Sequence, residues 1–211
     1  MTDLYTGQKL YKGMSIPDRV RILDAAVDAI LSHSLLGVAV HFDREEFESL
    51  APADWPQRFG SIYTFACQLC LQRTADWLKV HKCNYPVSYV FEHGHGWQAQ
   101  CDATLTEIGR AKSLRSRLRY HDHRFGGKSG DYGLQAADLL AWTTTKLSIL
   151  RTDIHKIAPL VASLKRLAPN GGKHTHIDSF TGDKLRTIIQ YGMTTPSLHI
   201  VSAGPARRTF R

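Results

Sequence analysis

No stretch of this sequence approaches the ~20 consecutive apolar residues needed to cross a bilayer, and the opening MTDLYTGQKLYKGMSIP lacks the apolar core of a secretory signal. The reading that follows is a cytoplasmic protein. Cysteine is scarce: Cys67, Cys70, Cys83 and Cys101 are all there is, and the single CxxC has no second pair to complete a zinc ribbon or a disulfide framework. Cys67 and Cys70 instead fall at helical spacing within FACQLCLQRTADWL, which makes them small core residues. HExxH, nucleophile-elbow and P-loop patterns are missing too, and no internal repeat is present. Acidic residues run short. Nineteen Asp and Glu against 27 Lys and Arg leave a net charge of +8, which favours an anionic partner, most simply nucleic acid.

What is present is an ordinary globular composition, 43% hydrophobic and 22% charged over 211 residues, enough for one sizeable core. We expect a single domain over residues 1–211 with a basic tail from about residue 203. A loop up to Pro17 leads into a helix ending near His33, on which Val20, Leu23, Val27, Ile30 and Leu31 recur at helical spacing. Gly37 to Phe42 reads as a buried strand, and Asp43 to Pro56 as a loop or short helical excursion. A long helix is expected from about Phe59 to Val80, then a strand from Pro86 to Glu92 with Val87, Tyr89 and Phe91 on one face. Trp97 to about Lys112 returns to helix. The rest reads as a strand over Leu114 to Tyr120, a glycine-rich loop from Gly126 to Gly133 and a helix to about Leu150. A further helix over Ile154 to Leu167, a strand at HTHIDSF and a helix from Gly182 to Tyr191 close the chain. Strand following helix is the alternation of an α/β domain.

Two acids stand out. Asp138 shares a helical stripe with Leu134 and Trp142, where an ionised carboxylate needs a cation or hydrogen-bond donors to offset desolvation; Gln135 is an alternative partner. Glu92 ends a strand, where ligand sites of open α/β sheets gather, and precedes the glycine-rich turn His93-Gly94-His95-Gly96. As a pair they would suit a hard divalent cation. Each also has an ordinary reading as a solvated side chain. Three His-x-His pairs, His93/His95, His121/His123 and His174/His176, put both rings on one side of an extended segment, which suits zinc, a general base or phosphate contact. Arg115, Arg117 and Arg119 would project from one face of their strand, and with Arg124 form a row able to follow phosphates.

Y-V-F-E-x-G at Tyr89 to Gly94, followed about forty residues on by G-L-Q-A-A-D-L-L-A-W at Gly133 to Trp142, resembles the bacterial and phage family called domain of unknown function 3800. That family is similar to the ribonuclease H-like superfamily, and M-T-D-L-Y-T-G resembles its internal His-Met-x-Asp segment. The resemblance implies an α/β fold, a ribonuclease H-like mixed sheet flanked by helices, with a one- or two-metal carboxylate site holding Mg2+ or Mn2+ and acting on nucleic acid by in-line water attack. Glu92 and Asp138 match the motif acids and would be the catalytic residues and metal ligands; Gln135 and Gly94 match positions without an assignable role. The family's first strand, carrying a Y-V-D-E-S-G-like segment, has no counterpart here. The expectation is therefore a sequence starting downstream of a longer reading frame, its first strand missing, with Asp43 or Asp122 as replacement ligands. The leading functional expectation is a metal-dependent nuclease, active or inactive in this form. The alternatives are a non-catalytic nucleic-acid-binding protein using the Arg115/Arg117/Arg119 row, and a zinc-stabilised interaction module built on the His-x-His pairs.

Overall fold

The computed structural model describes residues 8–149, 162–163, 165–167 and 175–194. In chain order, a 3-10 turn at Lys9–Tyr11 precedes α1 (Ile16–His33), β1 (Gly37–Phe42), α2 (Arg44–Leu50), α3 (Trp55–Phe59), α4 (Ile62–Val80) and β2 (Val87–Glu92). There follow α5 (Gln98–Arg110), α6 (Lys112–Arg117), β3 (Tyr120–Gly126), α7 (Tyr132–Ile149), β4 (Thr175–Phe180) and α8 (Gly182–Thr194). The protein is thus mixed α/β, as its sequence suggests. No described helix is long and apolar enough to cross a membrane.

Local chemistry explains most of the boundaries. Ser15 caps α1 by accepting from the Asp18 N–H at 3.3 Å, Asp43 caps α2 by accepting from the Glu46 N–H at 2.9 Å, and Ser61 caps α4 by accepting from the Thr64 N–H at 3.2 Å. The long helix expected from Phe59 begins later than the periodicity suggests. Gly60, at φ +77°, separates α3 from α4, because the left-handed conformation it adopts cannot continue a helix.

The chain divides into two compact units, residues 1–39 with 131–178, and 40–130 with 179–211. In the first, Leu23 and Val27 of α1 pack with Leu139 of α7 and Leu167, flanked by Val20, Ile30 and Trp142. The second holds two cores. One is aromatic: Phe47, Trp55, Phe59 and Phe65 meet Leu185 and Ile189 of α8, with Trp55 and Phe59 ring centroids 4.3 Å apart. The other lies under the β2–β3 pair, where Leu71, Leu105, Ile108, Leu118 and Tyr120 pack against Tyr89, Phe91 and Phe125. β1 pairs with β4, and β2 pairs in parallel with β3. Parallel pairing needs a crossover, which α5 and α6 supply.

One expectation fails outright. Leu114 to Tyr120 is no strand: α6 runs to Arg117, and β3 begins only at Tyr120. Leu114 and Leu118, four residues apart, point the segment's apolar side inward as a helix does, and Leu118 is fully buried. Arg115 and Arg117 then diverge by about 200° around the axis instead of lining up. The expected helix Ile154 to Leu167 falls mostly outside the described residues, and His174, M-T-D-L-Y-T-G and the basic tail fall wholly outside them.

Candidate functional site at the strand ends

Register places the second unit's chemistry at the carboxyl ends of β2 and β3. Glu92 is the last residue of β2 and pairs with Gly126, the last of β3. The chain then turns: the His93 N–H donates to the Gly126 carbonyl at 3.0 Å, Gly94 takes φ +85°, and its N–H donates to the Gln98 side chain at 2.8 Å. Glu92 is half exposed, its Oε1 lying 3.2 Å from Lys128 Nζ. A Cβ at Gly127 would stand 3.0 Å from His93 Nε2, so the glycine admits the imidazole over the loop. Lys128 escapes a motif-based reading. The signal that could have found it is its place two residues beyond Gly126, in a glycine-rich loop opposite the end of β2.

The histidine pairs behave differently from one another. Val87 pairs with Tyr120 but Ser88 with Asp122, so His121 is an extra residue in β3. This bulge resets the alternation. His121 stays outward and over half exposed, while His123 turns inward, its side chain only 11% exposed. The expectation that both rings share a side is therefore overturned. Turned inward, His123 Nε2 meets Asp102 Oδ1 of α5 at 2.9 Å, and Nδ1 is hydrogen-bonded to the Tyr120 hydroxyl. A neutral ring satisfies all three groups when Tyr120 donates to Nδ1 and the Nε2–H donates to Asp102. Burial, with Asp122 and Asp102 nearby, pushes the Tyr120 phenol up to about 12. His95 stacks on Tyr63 with centroids 4.1 Å apart, and its Nδ1 accepts from the Trp97 N–H at 3.3 Å.

The remaining candidates are distributed as follows. Asp138 is half-buried on α7, in the first unit, between buried Leu134 and Leu139. Arg115 and Arg117 are exposed on α6, and Arg124 is exposed on β3. Arg119 sits at φ +52° in the turn between α6 and β3, outside any strand, its Nη2 donating to Asn84 Oδ1 at 3.0 Å. Asp43 is committed to capping α2, and Asp122 is exposed beside His121. Cys67 is partly buried against the core, and its hydrogen bond with Cys101 together with desolvation raises its thiol well above the ordinary range.

A divalent ion bound through oxygen needs about six ligands. Among the described residues, no three His, Cys, Asp or Glu side chains gather where an ion could sit, and Glu92 already faces the Lys128 ammonium. No protein-family model matches this sequence, and no curated protein or solved structure matches it either.

Proposed function

We propose that the protein binds nucleic acid through its phosphates. The observation that carries this reading is the exposed basic segment of the second unit, in a chain of net charge +8. Lys112 and Arg115, three apart on α6, lie along one side of the helix, with Arg117 exposed on another and Arg124 on the outer face of β3. Each phosphate contact releases counterions, so binding weakens with salt at a slope of about 0.9 per contact. Fluorescence anisotropy of a labelled oligonucleotide across a salt series tests it. Replacing Lys112 and Arg115, which share one side of α6, together by Ala reduces the slope by roughly two contacts; an unchanged slope removes α6 from the interface.

A second reading is favoured by the position of Glu92 at the carboxyl end of a parallel pair, where sites of α/β sheets form. It is a divalent-metal-dependent nuclease of ribonuclease H-like type, using Mg2+ or Mn2+, with Glu92 among its acids. Labelled RNA and DNA incubated with each ion, and then with chelator, test it. Chelator-sensitive cleavage that is lost in Glu92→Gln supports it, and cleavage retained in that variant removes Glu92 from the site.

A further inference from the structure

The second unit contains a cavity of about 670 Å³, within the range of roughly 300–1,000 Å³ typical of small-molecule pockets. Phe47, Pro52, Trp55, Pro56, Ile62 and Trp97 supply its apolar walls. Gln100, Ser61 and Glu48 supply polar ones, the Glu48 carboxylate being paired with Arg44 at 2.7 Å. The Gln100 Oε1 accepts from the Ser61 N–H at 2.8 Å and from the Thr64 hydroxyl at 3.3 Å. These bonds fix which end of the amide is oxygen, and they leave the two Nε2 hydrogens out of both contacts. Gln100, a lining residue, thus keeps its amide nitrogen for a further partner.

Trp97 is 39% exposed, so part of its ring can meet a ligand at the cavity mouth. It is also the outer member of an aromatic ladder: Tyr63 stacks on His95 at 15° between planes, and His95 meets Trp97 at 5.2 Å between centroids. The ladder starts beside the strand-end site. After burial, Cys67 and Cys101, the Glu92 carboxylate is among the groups that raise the Tyr63 phenol above its ordinary value. Exposed flat rings leading into an apolar pocket with one oriented amide donor suit a planar heteroaromatic group bearing acceptors on its edge. The net charge of +8 suits an anionic chain attached to it. Bases of unpaired nucleic acid combine these properties, stacking on aromatic side chains and offering edges to amide groups.

We propose that this cavity receives an unpaired nucleobase, with Trp97 as its stacking surface and the Gln100 amide as donor to the base edge, so that the partner is single-stranded nucleic acid. This inference rests on the nucleic-acid reading above and narrows it. The test uses the full chain with a single-stranded oligonucleotide containing one fluorescent purine analogue, the same strand with an abasic position, and the duplex. Binding of the single strand quenches the analogue, and removing the base weakens binding. Trp97→Ala weakens single-strand binding by roughly five- to a hundredfold, leaving duplex binding and the salt slope as they were. Trp97→Leu, which keeps apolar bulk without the flat ring and guards against misfolding, loses affinity similarly, and Trp97→Phe retains most of it. Wild-type affinity in Trp97→Ala and Trp97→Leu, or an unquenched analogue, overturns the pocket while leaving phosphate binding standing. A chain that binds neither single strand nor duplex overturns both readings.

Discussion

The two faces of the β2–β3 pair share a backbone and little else. Inward, Tyr89, Phe91, Tyr120 and Phe125 close over Leu105, Ile108 and Leu118, and the imidazole among them, His123, has both nitrogens engaged. Outward, Ser88, Val90, Glu92, Asp122 and Arg124 are exposed. Parallel sheets usually cover both faces with helices and read as continuous apolar runs. Here the strands alternate instead, and a single bulge at His121 keeps the alternation in phase with the core. The difference separates two kinds of polar residue. Inward, His123 and Tyr120 are held by hydrogen bonds and report on stability; outward ones meet water.

The largest effect expected from this contrast comes from the apolar layer. Ile108→Ala, at a fully buried position, lowers stability by about 2–5 kcal/mol, the usual cost of a cavity under a packed sheet. Val90→Thr, at a position 37% exposed on the other face of the same strand pair, stays within about 0.5 kcal/mol. Urea unfolding of both variants measures this directly, and equal losses would erase the distinction between the faces.

The histidines sharpen it at a smaller scale. His123→Ala strands the hydroxyl of Tyr120, itself only 4% exposed, and costs about 1–3 kcal/mol. His121→Ala, two positions away and outward, changes stability by less than about 0.5 kcal/mol. The same network sets an alkaline limit. The Tyr120 phenol is raised in the folded chain from 10.0 to about 12, so its contribution is intact below pH 10 and is lost as the pH rises toward 12, where the unfolded chain ionises first. Stability measured across that window falls with pH, and Tyr120→Phe makes the fall shallower. An unchanged slope would place the phenol in water.

The same contrast shows what the sequence makes legible. The bounds of β1 follow from β-branched content and the inward set Val87, Tyr89 and Phe91 from period-two alternation, although Ala39 alone of β1 is as buried as the sequence predicts for that strand. α1 follows from its apolar spacing and from Pro17 in its first turn. The arginine segment misleads because residues at every second position satisfy a strand template whatever Leu114 and Leu118 prefer, and burial of the leucines decides the outcome. His121 and His123 mislead for a different reason. A bulge is a property of two strands in register, and neither strand carries it alone. Lys128 and the Trp97–Gln100 pocket are invisible for the same cause, since both are assembled by residues that meet only after β2, β3, α2, α4 and α5 are in place.

The smallest stability change, and the most informative about the outward face, belongs to Glu92→Gln. Its pair with Lys128 joins two side chains that are 53% and 38% exposed, so breaking it costs no more than about 0.5 kcal/mol. Its effect on binding has the opposite sign. Removing a carboxylate beside the Lys128 ammonium leaves one more net positive charge at the strand ends, so oligonucleotide affinity rises a few-fold at low ionic strength. That gain fades as salt is added, because screening over about 10 Å at 0.1 M ionic strength weakens exposed charges on both sides of the comparison. Anisotropy titrations of wild type and Glu92→Gln at two salt concentrations measure the sign. Tighter binding at low salt places the nucleic-acid path beside Glu92, whereas equal affinity at both salts moves that path away from the ends of β2 and β3.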